Sequence, residues 1–211
     1  TFEEYSPEII FHLGAQSLVL ESFENPKETF DVNIGGTVNV LDCCRLFNST
    51  KAIINITSDK CYKNNEWIWP YRENDPMGGY DPYSSSKGCS ELITNAYQQS
   101  FFSDYSNKSN VGLASIRAGN VIGGGDWHGN NLIAHCIKSL ESKSPIKLRN
   151  PDGIRPWQHV FDALSGYLTL AYKVYNDPKK FSGPWNLGPK SDMVAKVNDI
   201  VEKILHHWGK P

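Results

Sequence analysis

The chain has 211 residues, of which 39% are hydrophobic and 21% are charged, and its formal net charge is −2 at pH 7. This length is enough to bury a substantial hydrophobic core in one large domain or two small ones. The near-neutral balance, without blocks of like charge, excludes the basic footprint of a protein that binds nucleic acid or an anionic membrane surface. No apolar run approaches the roughly 18 residues that a membrane-spanning helix needs, and no signal peptide is visible.

The cysteines and histidines lack the spacings of disulfide-rich or zinc-binding domains. The five cysteines form no CxxC, and the six histidines form no HExxH or similar ligand pair. We therefore predict no metal site, and a reducing compartment, the cytoplasm, as the location.

The first 120 residues alternate predicted strands with predicted helices. The strands are the apolar runs at 8–14 (EIIFHLG), 51–57 (KAIINIT) and 111–117 (VGLASIR), and the helices cover 26–47 and 83–101. A nearly continuous apolar run bounded by turn residues is typical of a strand that is buried on both faces. The alternation indicates an α/β fold with a parallel sheet.

Beyond residue 120 the pattern is less regular. It predicts helices near 132–141, 160–175 and 193–208, and a short strand at 146–148 (IKL). We place the boundary between two regions in the glycine-rich loop near 123–129. The loop at 62–82, after the second strand, is longer than a compact domain usually tolerates, and long ordered loops are often functional.

Two groups of polar residues lie where ligands bind in such a sheet, at the carboxyl ends of its strands. Ser58, Asp59 and Lys60 directly follow the second strand, and Tyr83 and Lys87 begin the helix after the long loop. Residues four apart share a helix face. A Lys87 ammonium beside Tyr83 should therefore lower the pKa of the phenol, so that it can accept a proton from a sugar hydroxyl.

Each pattern alone has a simpler explanation. Ser and Asp side chains readily form caps and turns, so TSDK by itself favours a hydrogen-bonded turn. A second YxxxK, from Tyr175 to Lys179, contains Pro178, which would break a helical turn; the spacing therefore arises easily by chance. Both patterns together, in this order, indicate an active site at the end of the second strand.

Longer phrases carry a family resemblance over residues 7–189. HLGAQ, DVNIGGTVNVLD, TSDKCY, YRENDPMGGYDPYSSSKGCSELI, RAGNVIGGGDW and IRPWQHV occur in this order. Together they resemble the extended short-chain dehydrogenases/reductases that act on nucleotide sugars and, within them, the dehydratases of CDP-glucose. Lys60 after Asp59, where relatives that act on dTDP-glucose and GDP-mannose carry Glu, favours that branch.

The resemblance implies an α/β fold with a Rossmann-like doubly wound parallel sheet, here partial, with NAD as cofactor and CDP-glucose as substrate. Residues 1–122 would be the C-terminal part of the NAD-binding domain and carry the catalytic residues. Residues 123–211 would mainly form the nucleotide-sugar-binding region, with interleaving of the last sheet strands left open. The implied assembly is a homodimer or homotetramer without nucleic acid or membrane partners, active in deoxysugar biosynthesis.

By position, the resemblance makes Tyr83 the base for the glucose C4 hydroxyl, Lys87 the residue that holds the nicotinamide ribose, and Ser58 a hydrogen-bond partner of the C4 oxygen. Lys60 would remove the C5 proton, and Asp59 would protonate the departing C6 hydroxyl. The implied cofactor-binding residues are Ala15, Gln16, Thr57, Tyr83, Lys87 and Asn120. The implied substrate-binding residues are Ser58, Asn120, Asn131, Leu132 and Arg155.

The chain also departs from the family pattern. It contains no GxGxxG or GxxGxxG, so we expect an internal fragment of a longer protein, without the N-terminal glycine-rich NAD loop. Asn131 and Ala134 stand where relatives carry Arg and Pro. Arg155 could bind the substrate diphosphate or could be an ordinary surface arginine. His159 is predicted to have a structural role. Two other interpretations stay open: a related nucleotide-sugar epimerase or decarboxylase, and an inactive remnant that binds a nucleotide sugar.

Overall fold

The computed structural model describes residues 2–103, 110–127, 131–190 and 194–209. The strands in these ranges are β1 (Ile9–His12), β2 (Ala52–Ile56), β3 (Gly112–Ala118), β4 (Asn120–Ile122), β5 (Ile154–Arg155), β6 (Trp157–His159), β7 (Gly183–Leu187) and β8 (Ala195–Lys196). The helices are α1 (Phe2–Tyr5), α2 (Val19–Glu24), α3 (Pro26–Phe30), α4 (Gly36–Leu46), α5 (Pro82–Phe101), α6 (Leu132–Glu141), α7 (Val160–Asn176), α8 (Pro178–Phe181) and α9 (Val197–Trp208).

The largest sheet has four parallel strands in the order β1-β2-β3-β7. The predicted parallel α/β sheet is therefore confirmed, and its first three strands lie where the apolar runs placed them. The fourth strand, β7, was not predicted, because Gly183 and Pro184 in it are typical turn residues and three of its five residues are exposed. Residues 146–148, by contrast, form no strand in the described part of the chain.

The chain divides into two compact units. The first comprises Thr1–Ala118 and Leu164–Leu187 and contains the four-stranded sheet. The second comprises Gly119–Ala163 and Gly188–Pro211 and contains two two-stranded sheets, β4-β6 and β5-β8. The assignment of NAD binding to residues 1–122 and of sugar-nucleotide binding to 123–211 stays a prediction.

The main core of the first unit lies between the sheet and helices α4 and α5. Leu41, Cys44, Ile53, Phe102 and Leu113 form a buried cluster there. Because successive side chains of a strand point to opposite faces, the neighbour of Leu113 in β3 faces the other side of the sheet, where α7 packs. Helices therefore cover both faces of β3, as in a doubly wound sheet.

The helix predicted over 26–47 is present but interrupted. Residues Asp31–Gly35 between α3 and α4 form a π-helical segment, where the chain makes a wider turn. Asn33 in this segment is buried, and its amide bonds the backbone of Gln16 and the hydroxyl of Ser86. The π-helical turn therefore buries the Asn33 side chain, although the apolar spacing over 26–47 is that of a regular α-helix.

The other predicted helices are confirmed with small changes at their ends. The helix expected at 83–101 begins one residue earlier, at Pro82, and the one at 132–141 has the predicted bounds. The last helix begins at Val197 rather than near residue 193, which lies outside the described residues. In the part of the chain that the structure describes, no helix is long and apolar enough to cross a membrane. In that same part, no group of three or more His, Cys, Asp and Glu side chains could hold a metal ion.

Gly112 of β3 lies against Val174 of α7. A Cβ atom built on it would lie 2.3 Å from Val174 Cγ1 and 3.1 Å from the Val174 carbonyl oxygen. We expect Gly112→Ala to lower the free energy of unfolding by about 1–3 kcal/mol through overpacking. The control is Gly36→Ala in α4, where nothing lies within 4 Å of the added atom; it should be neutral or stabilise by about 0.5–1 kcal/mol. Urea denaturation of both variants measures their free energies of unfolding. Equal values for the two variants would contradict the close contact between Gly112 and Val174.

Candidate active site

Three polar residues form a compact turn at the carboxyl end of β2. Ser58 caps the 3-10 turn Asp59–Cys61, and its hydroxyl oxygen accepts a hydrogen bond from the Lys60 backbone N–H at 3.3 Å. The same hydroxyl donates to Asp59 Oδ1 at 3.1 Å, and Lys60 Nζ donates to that oxygen at 3.2 Å. TSDK is therefore both a hydrogen-bonded turn and a cluster of a hydroxyl, a carboxylate and an ammonium.

Tyr83 lies in the first turn of α5, beside this cluster. The helix begins there because Asp81 is its N-cap, accepting from the backbone N–H of Ser84 at 2.8 Å and from its hydroxyl at 2.6 Å, and because Pro82 suits the first helical position. The phenol of Tyr83 is buried and hydrogen-bonded to the Ser58 hydroxyl. The structure thus brings a hydroxyl from the end of β2 against a phenol at the start of α5.

The electrostatics of Tyr83 differ from the sequence-based expectation. Burial raises the pKa of the Tyr83 phenol, and this effect outweighs the opposing influence of the Ser58 hydrogen bond and the nearby Lys60 charge. The expectation that Lys87 lowers this pKa is wrong for the protein alone. Desolvation dominates, and the cation that acts on the phenol belongs to Lys60.

Lys87 lies one turn further along α5 and is also buried. Its Nζ donates a hydrogen bond to the Ile56 carbonyl oxygen at 3.4 Å. Burial lowers the pKa of the Lys87 ammonium to about 8, against the charge of Glu91, which favours the protonated form. A lysine with this pKa changes its charged fraction in the neutral to mildly alkaline range.

Gly88 lets α5 pack closely against the turn after β2. A Cβ atom at this position would lie 3.3 Å from the Cys61 carbonyl oxygen. That oxygen accepts a hydrogen bond from the backbone N–H of Gly78 at 2.8 Å, which ties the end of the long loop to the same turn. The glycine next to Lys87 thus permits the approach that joins the Ser58 turn to the helix.

The loop after β1 carries the predicted cofactor residues Ala15 and Gln16. The Gln16 side chain is committed within the protein, since its Nε2 donates to Thr29 Oγ1 at 2.8 Å and to the Leu18 carbonyl at 3.1 Å. Its backbone is bonded at both N–H and C=O by the Asn33 amide. Gln16 therefore fixes the path of this loop, and cofactor contact by either residue stays a prediction.

The remaining predicted residues lie in the second unit. Asn120 is in β4, and its Oδ1 is buried without a hydrogen-bond partner among the described residues. Asn131 precedes α6 and its amide donates to Asp126 Oδ2 at 2.5 Å, while Leu132 is the first residue of that helix. Arg155 in β5 is exposed, and its Nη1 donates to the carbonyl of its own neighbour at 2.8 Å. The orphaned Asn120 oxygen suits a ligand donor, and Arg155 is a surface arginine in this structure.

Three tryptophans of the predicted loops are exposed, and His159 packs against its neighbour Phe161. The indoles of Trp67, Trp69 and Trp127 are 42%, 68% and 53% exposed, so none of them packs in a core. The His159 ring lies against Phe161 with centroids 5.0 Å apart, and its Nδ1 accepts from the Phe161 backbone N–H at 3.2 Å. These contacts give His159 a local structural role.

Sequence reasoning missed a buried ion pair directly behind the site. Glu91 of α5 accepts from Arg117 Nη2 of β3 at 2.7 Å, from Ser115 Oγ at 2.7 Å and from Thr57 Oγ1. Arg117 also donates to Tyr62 Oη at 2.6 Å. Two sequence signals could have revealed the pair. Glu91 lies one helical turn after Lys87, and Arg117 ends the apolar run VGLASIR. The Thr57 hydroxyl, predicted to contact the cofactor, bonds this carboxylate.

Comparison with known proteins identifies related sequences. The chain is 51% identical over 207 residues to a CDP-glucose 4,6-dehydratase of Salmonella typhimurium, covering 98% of this chain and 58% of that protein. It is 28% identical to a CDP-paratose 2-epimerase of Salmonella typhi, covering 81% of this chain and 55% of the relative. The chain thus spans a little over half the length of these relatives.

Solved structures show the same fold. The DesIV dTDP-glucose 4,6-dehydratase of Streptomyces venezuelae, with NAD bound, superposes with a TM-score of 0.81 at 20% identity over 99% of this chain and 60% of that one. The UDP-glucuronic acid 4-epimerase of Bacillus cereus gives 0.82 at 18% identity over 98% and 61%. At such identities the likeness establishes the Rossmann-like fold and no more.

A family model shows the membership. The model described as GDP-mannose 4,6 dehydratase matches residues 1–181. The match includes both the β2 turn and the start of α5, which carry the polar cluster described above. The chain therefore belongs to the GDP-mannose 4,6-dehydratase family of extended short-chain dehydrogenases/reductases.

Proposed function

We propose that the protein carrying this chain dehydrates CDP-glucose to CDP-4-keto-6-deoxyglucose with NAD as cofactor. The observation that carries the proposal is the hydrogen-bonded group of Ser58, Asp59, Lys60 and Tyr83 at the end of β2. Elimination of water across two carbons needs a base and an acid side by side, and Lys60 and Asp59 provide them. The printed name of the Salmonella relative supports CDP-glucose as the substrate.

The residues present fit NAD. An ammonium has three donors, and Lys87 has one hydrogen bond, a long one to a backbone carbonyl, so that its remaining N–H groups suit the hydroxyls of a ribose. The buried, unpartnered Asn120 Oδ1 is an acceptor that suits an amide N–H of a nicotinamide. When bound, NAD supplies a hydride acceptor and donor. Lys87 and Tyr83 are the residues of the first unit that we propose to hold it; contact of Asn120, in the second unit, with the cofactor stays a prediction.

The chain's own groups move the protons of the proposed reaction. Tyr83 would take the proton of the C4 hydroxyl while Ser58 holds the C4 oxygen. Together with loss of the C4 hydride, for which NAD would be the acceptor, this leaves a ketone at C4 that acidifies the proton on C5.

Transfer of a proton from the Lys60 ammonium to the Asp59 carboxylate across their 3.2 Å contact would give a neutral amine and a carboxylic acid. The amine then removes the C5 proton, and the acid protonates the departing C6 hydroxyl, which leaves as water. After water has left, the pair is again an ammonium and a carboxylate. The product then needs a hydride at C6, which the reduced cofactor would supply, and a proton at C5, which comes from solvent, while Tyr83 returns its proton to solvent.

Lys60 tests the elimination step separately from the oxidation at C4. We expect Lys60→Ala to lower the rate of water loss by about 10²-fold, at the lower end for general base catalysis because this side chain is 42% exposed and water can partly replace it. Oxidation at C4, which uses Tyr83 and Ser58, should persist. Absorbance of reduced nicotinamide during a single turnover, together with product mass, separates the two steps. Equal loss of both would contradict the assignment.

The substrate is tested by incubating the full-length natural polypeptide with NAD and, separately, CDP-glucose, dTDP-glucose and GDP-mannose. The proposal predicts loss of one water from CDP-glucose, read as a mass change, with much slower turnover of the other two. Turnover of another nucleotide sugar in its place would overturn the cytidine preference. No water loss despite bound NAD would favour the epimerase or the inactive binding protein.

We also propose that the protein forms a homodimer or homotetramer and works in the cytoplasm in deoxysugar biosynthesis. What supports the assembly is an apolar residue on the outer side of the helix that carries the site: Leu92 of α5 is 60% exposed. Sedimentation of the natural polypeptide measures its mass, and a monomer at working concentration would exclude the assembly.

A further inference from the structure

Glu91 of α5 and Arg117 of β3 form a buried ion pair that does not include any of the predicted catalytic residues. The side chains of Glu91 and Arg117 are each 4% exposed, and their closest atoms are 2.7 Å apart. Buried charges are costly unless they are paired and their remaining hydrogen-bonding groups are satisfied. The hydrogen-bond partners of this pair come from the end of β2, from β3 and from the segment 62–73, while Arg117 Nε has no partner among the described residues.

On the Glu91 side, the contacts reach the end of β2 and the start of α5. The carboxylate accepts from Thr57 Oγ1, and Thr57 directly precedes Ser58. Glu91 also lies one helical turn after Lys87, and its charge acts on the Lys87 ammonium. One carboxylate therefore fixes the strand end and stabilises the charged form of the lysine.

On the Arg117 side, the contacts reach the chain that follows the Ser58 turn. Nη1 donates to Tyr62 Oη at 2.6 Å and to the Glu73 carbonyl oxygen at 2.9 Å. Tyr62 is two residues after Lys60, and its own hydroxyl donates to Asn186 Oδ1 at 2.6 Å. The guanidinium thus holds both ends of the loop segment 62–73, which directly follows the Asp59–Cys61 turn.

We propose that Glu91 and Arg117 are a pair of positioning residues that hold the end of β2, the Lys87 ammonium and the segment after Lys60 in one fixed arrangement. The proposal rests on the proposed function for what is being positioned. Neither residue touches the reacting atoms. Its physical basis is that catalytic groups displaced by about 1 Å can lose about 10²-fold in rate.

The charges near Lys87 determine how the Glu91–Arg117 pair affects the pKa of the Lys87 ammonium. Glu91 on the same helix favours the ammonium, whereas Cys61 of the adjoining turn would do so only as a thiolate, and burial raises its pKa to about 12. His12 of β1 has its own pKa lowered by burial and by the Lys87 charge. Burial opposes the Lys87 charge most strongly. Removing the Glu91 charge should therefore lower the pKa of Lys87 below its present value of about 8.

The test is Glu91→Gln in the full-length natural polypeptide, with two readouts. The first is an NMR titration of the Lys87 side-chain carbon next to the ammonium, without substrate or cofactor, assigned with Lys87→Arg. We expect its midpoint to fall, and each unit of that fall lowers the charged-to-neutral ratio at a given pH about tenfold. The second is steady-state kinetics, in which kcat should fall about 10–10²-fold with little change in KM.

A matched control removes a buried hydrogen bond of the same helix away from the site. Thr94 Oγ1 accepts from Asn55 Nδ2 at 2.7 Å, two turns after Lys87. Thr94→Val should reduce stability while leaving the Lys87 midpoint and kcat near those of the wild type. Arg117→Lys is a second variant, which keeps both charges but loses the planar guanidinium that bonds two partners at once. It should lower kcat without shifting the midpoint of the Lys87 titration. It tests the proposal if Glu91→Gln does not fold.

The outcomes separate this proposal from the proposed function. If Glu91→Gln leaves the Lys87 midpoint unchanged and lowers kcat no more than Thr94→Val does, or if Arg117→Lys keeps wild-type kcat, the positioning role is overturned. If the midpoint falls as expected but the wild type dehydrates no nucleotide sugar, the charge coupling stands and the proposed function is wrong.

Discussion

Replacing Tyr83 by Phe should lower the rate of CDP-glucose dehydration by about 10²–10⁴-fold, the range for loss of a general base. The phenyl ring fills the same buried space, so the fold should be retained. What is lost is the phenol oxygen that bonds the Ser58 hydroxyl and that we propose as the base for the C4 proton. Because oxidation precedes elimination, both reduced cofactor and dehydrated product should disappear together, unlike in Lys60→Ala.

The control for Tyr83→Phe is Tyr97→Phe on the same helix. The Tyr97 phenol interacts with Asp42 of α4, away from the β2 turn. This variant loses an equivalent oxygen and should keep activity near that of the wild type. Initial rates of product formation for both variants, with NAD binding as a check on folding, measure the effect. A Tyr83→Phe enzyme with rates within a few fold of the Tyr97 variant would exclude the phenol as the base.

Replacing Arg117 by Met should lower the free energy of unfolding by about 3–5 kcal/mol, because it leaves the Glu91 carboxylate buried without its cation. Met has a similar length but cannot donate to Tyr62 Oη or the Glu73 carbonyl. The double variant Glu91→Gln/Arg117→Met should recover part of the loss, since no unpaired charge remains. Chemical denaturation followed by circular dichroism measures all three proteins.

An exposed pair provides the comparison for Arg117→Met. Lys27 and Asp31 form an ion pair on the surface, with the two side chains 88% and 62% exposed. Lys27→Met should leave stability almost unchanged, because water screens exposed pairs and solvates the remaining carboxylate. If Arg117→Met is as stable as Lys27→Met, the Glu91–Arg117 pair does not have the structural role that its burial indicates.

The sequence was sufficient to predict the frame of the site. Apolar runs located β1, β2 and β3, because strands buried on both faces need continuous apolar residues. The position of Ser58–Lys60 at a strand end followed from the same reasoning. The predicted helix start at Tyr83 was one residue late, but it placed Tyr83 correctly in the first turn of α5, where the structure adds Asp81 as N-cap and Pro82 as the first helical residue.

Several features were beyond the sequence because they depend on contacts between distant segments. The π-helical turn at Asp31–Gly35 leaves the apolar spacing of its helix looking regular, and its purpose appears only in the bonds of Asn33 to Gln16 and Ser86. The direction of the Tyr83 pKa depends on burial, which spacing along a helix does not reveal.

The buried ion pair was missed for a related reason. Glu91 and Arg117 are 26 residues apart in the chain and meet only because α5 packs over β3. A charged residue within an apolar run signals that a partner must exist, but pairing needs the fold. A rule that searches for complementary charges on the inner faces of neighbouring elements would have found it.

We propose that the Asp59–Lys60 pair suits this site to elimination rather than to epimerisation. The most direct measurement follows deuterium from CDP-glucose labelled at C4, in the full-length natural polypeptide with NAD, by NMR of the product. The account predicts that the label is found on C6 of a 4-keto-6-deoxy sugar, with a solvent hydrogen at C5. Recovery of the label at C4 of a hexose that has kept all its oxygens but has an inverted stereocentre would contradict it and identify an epimerase.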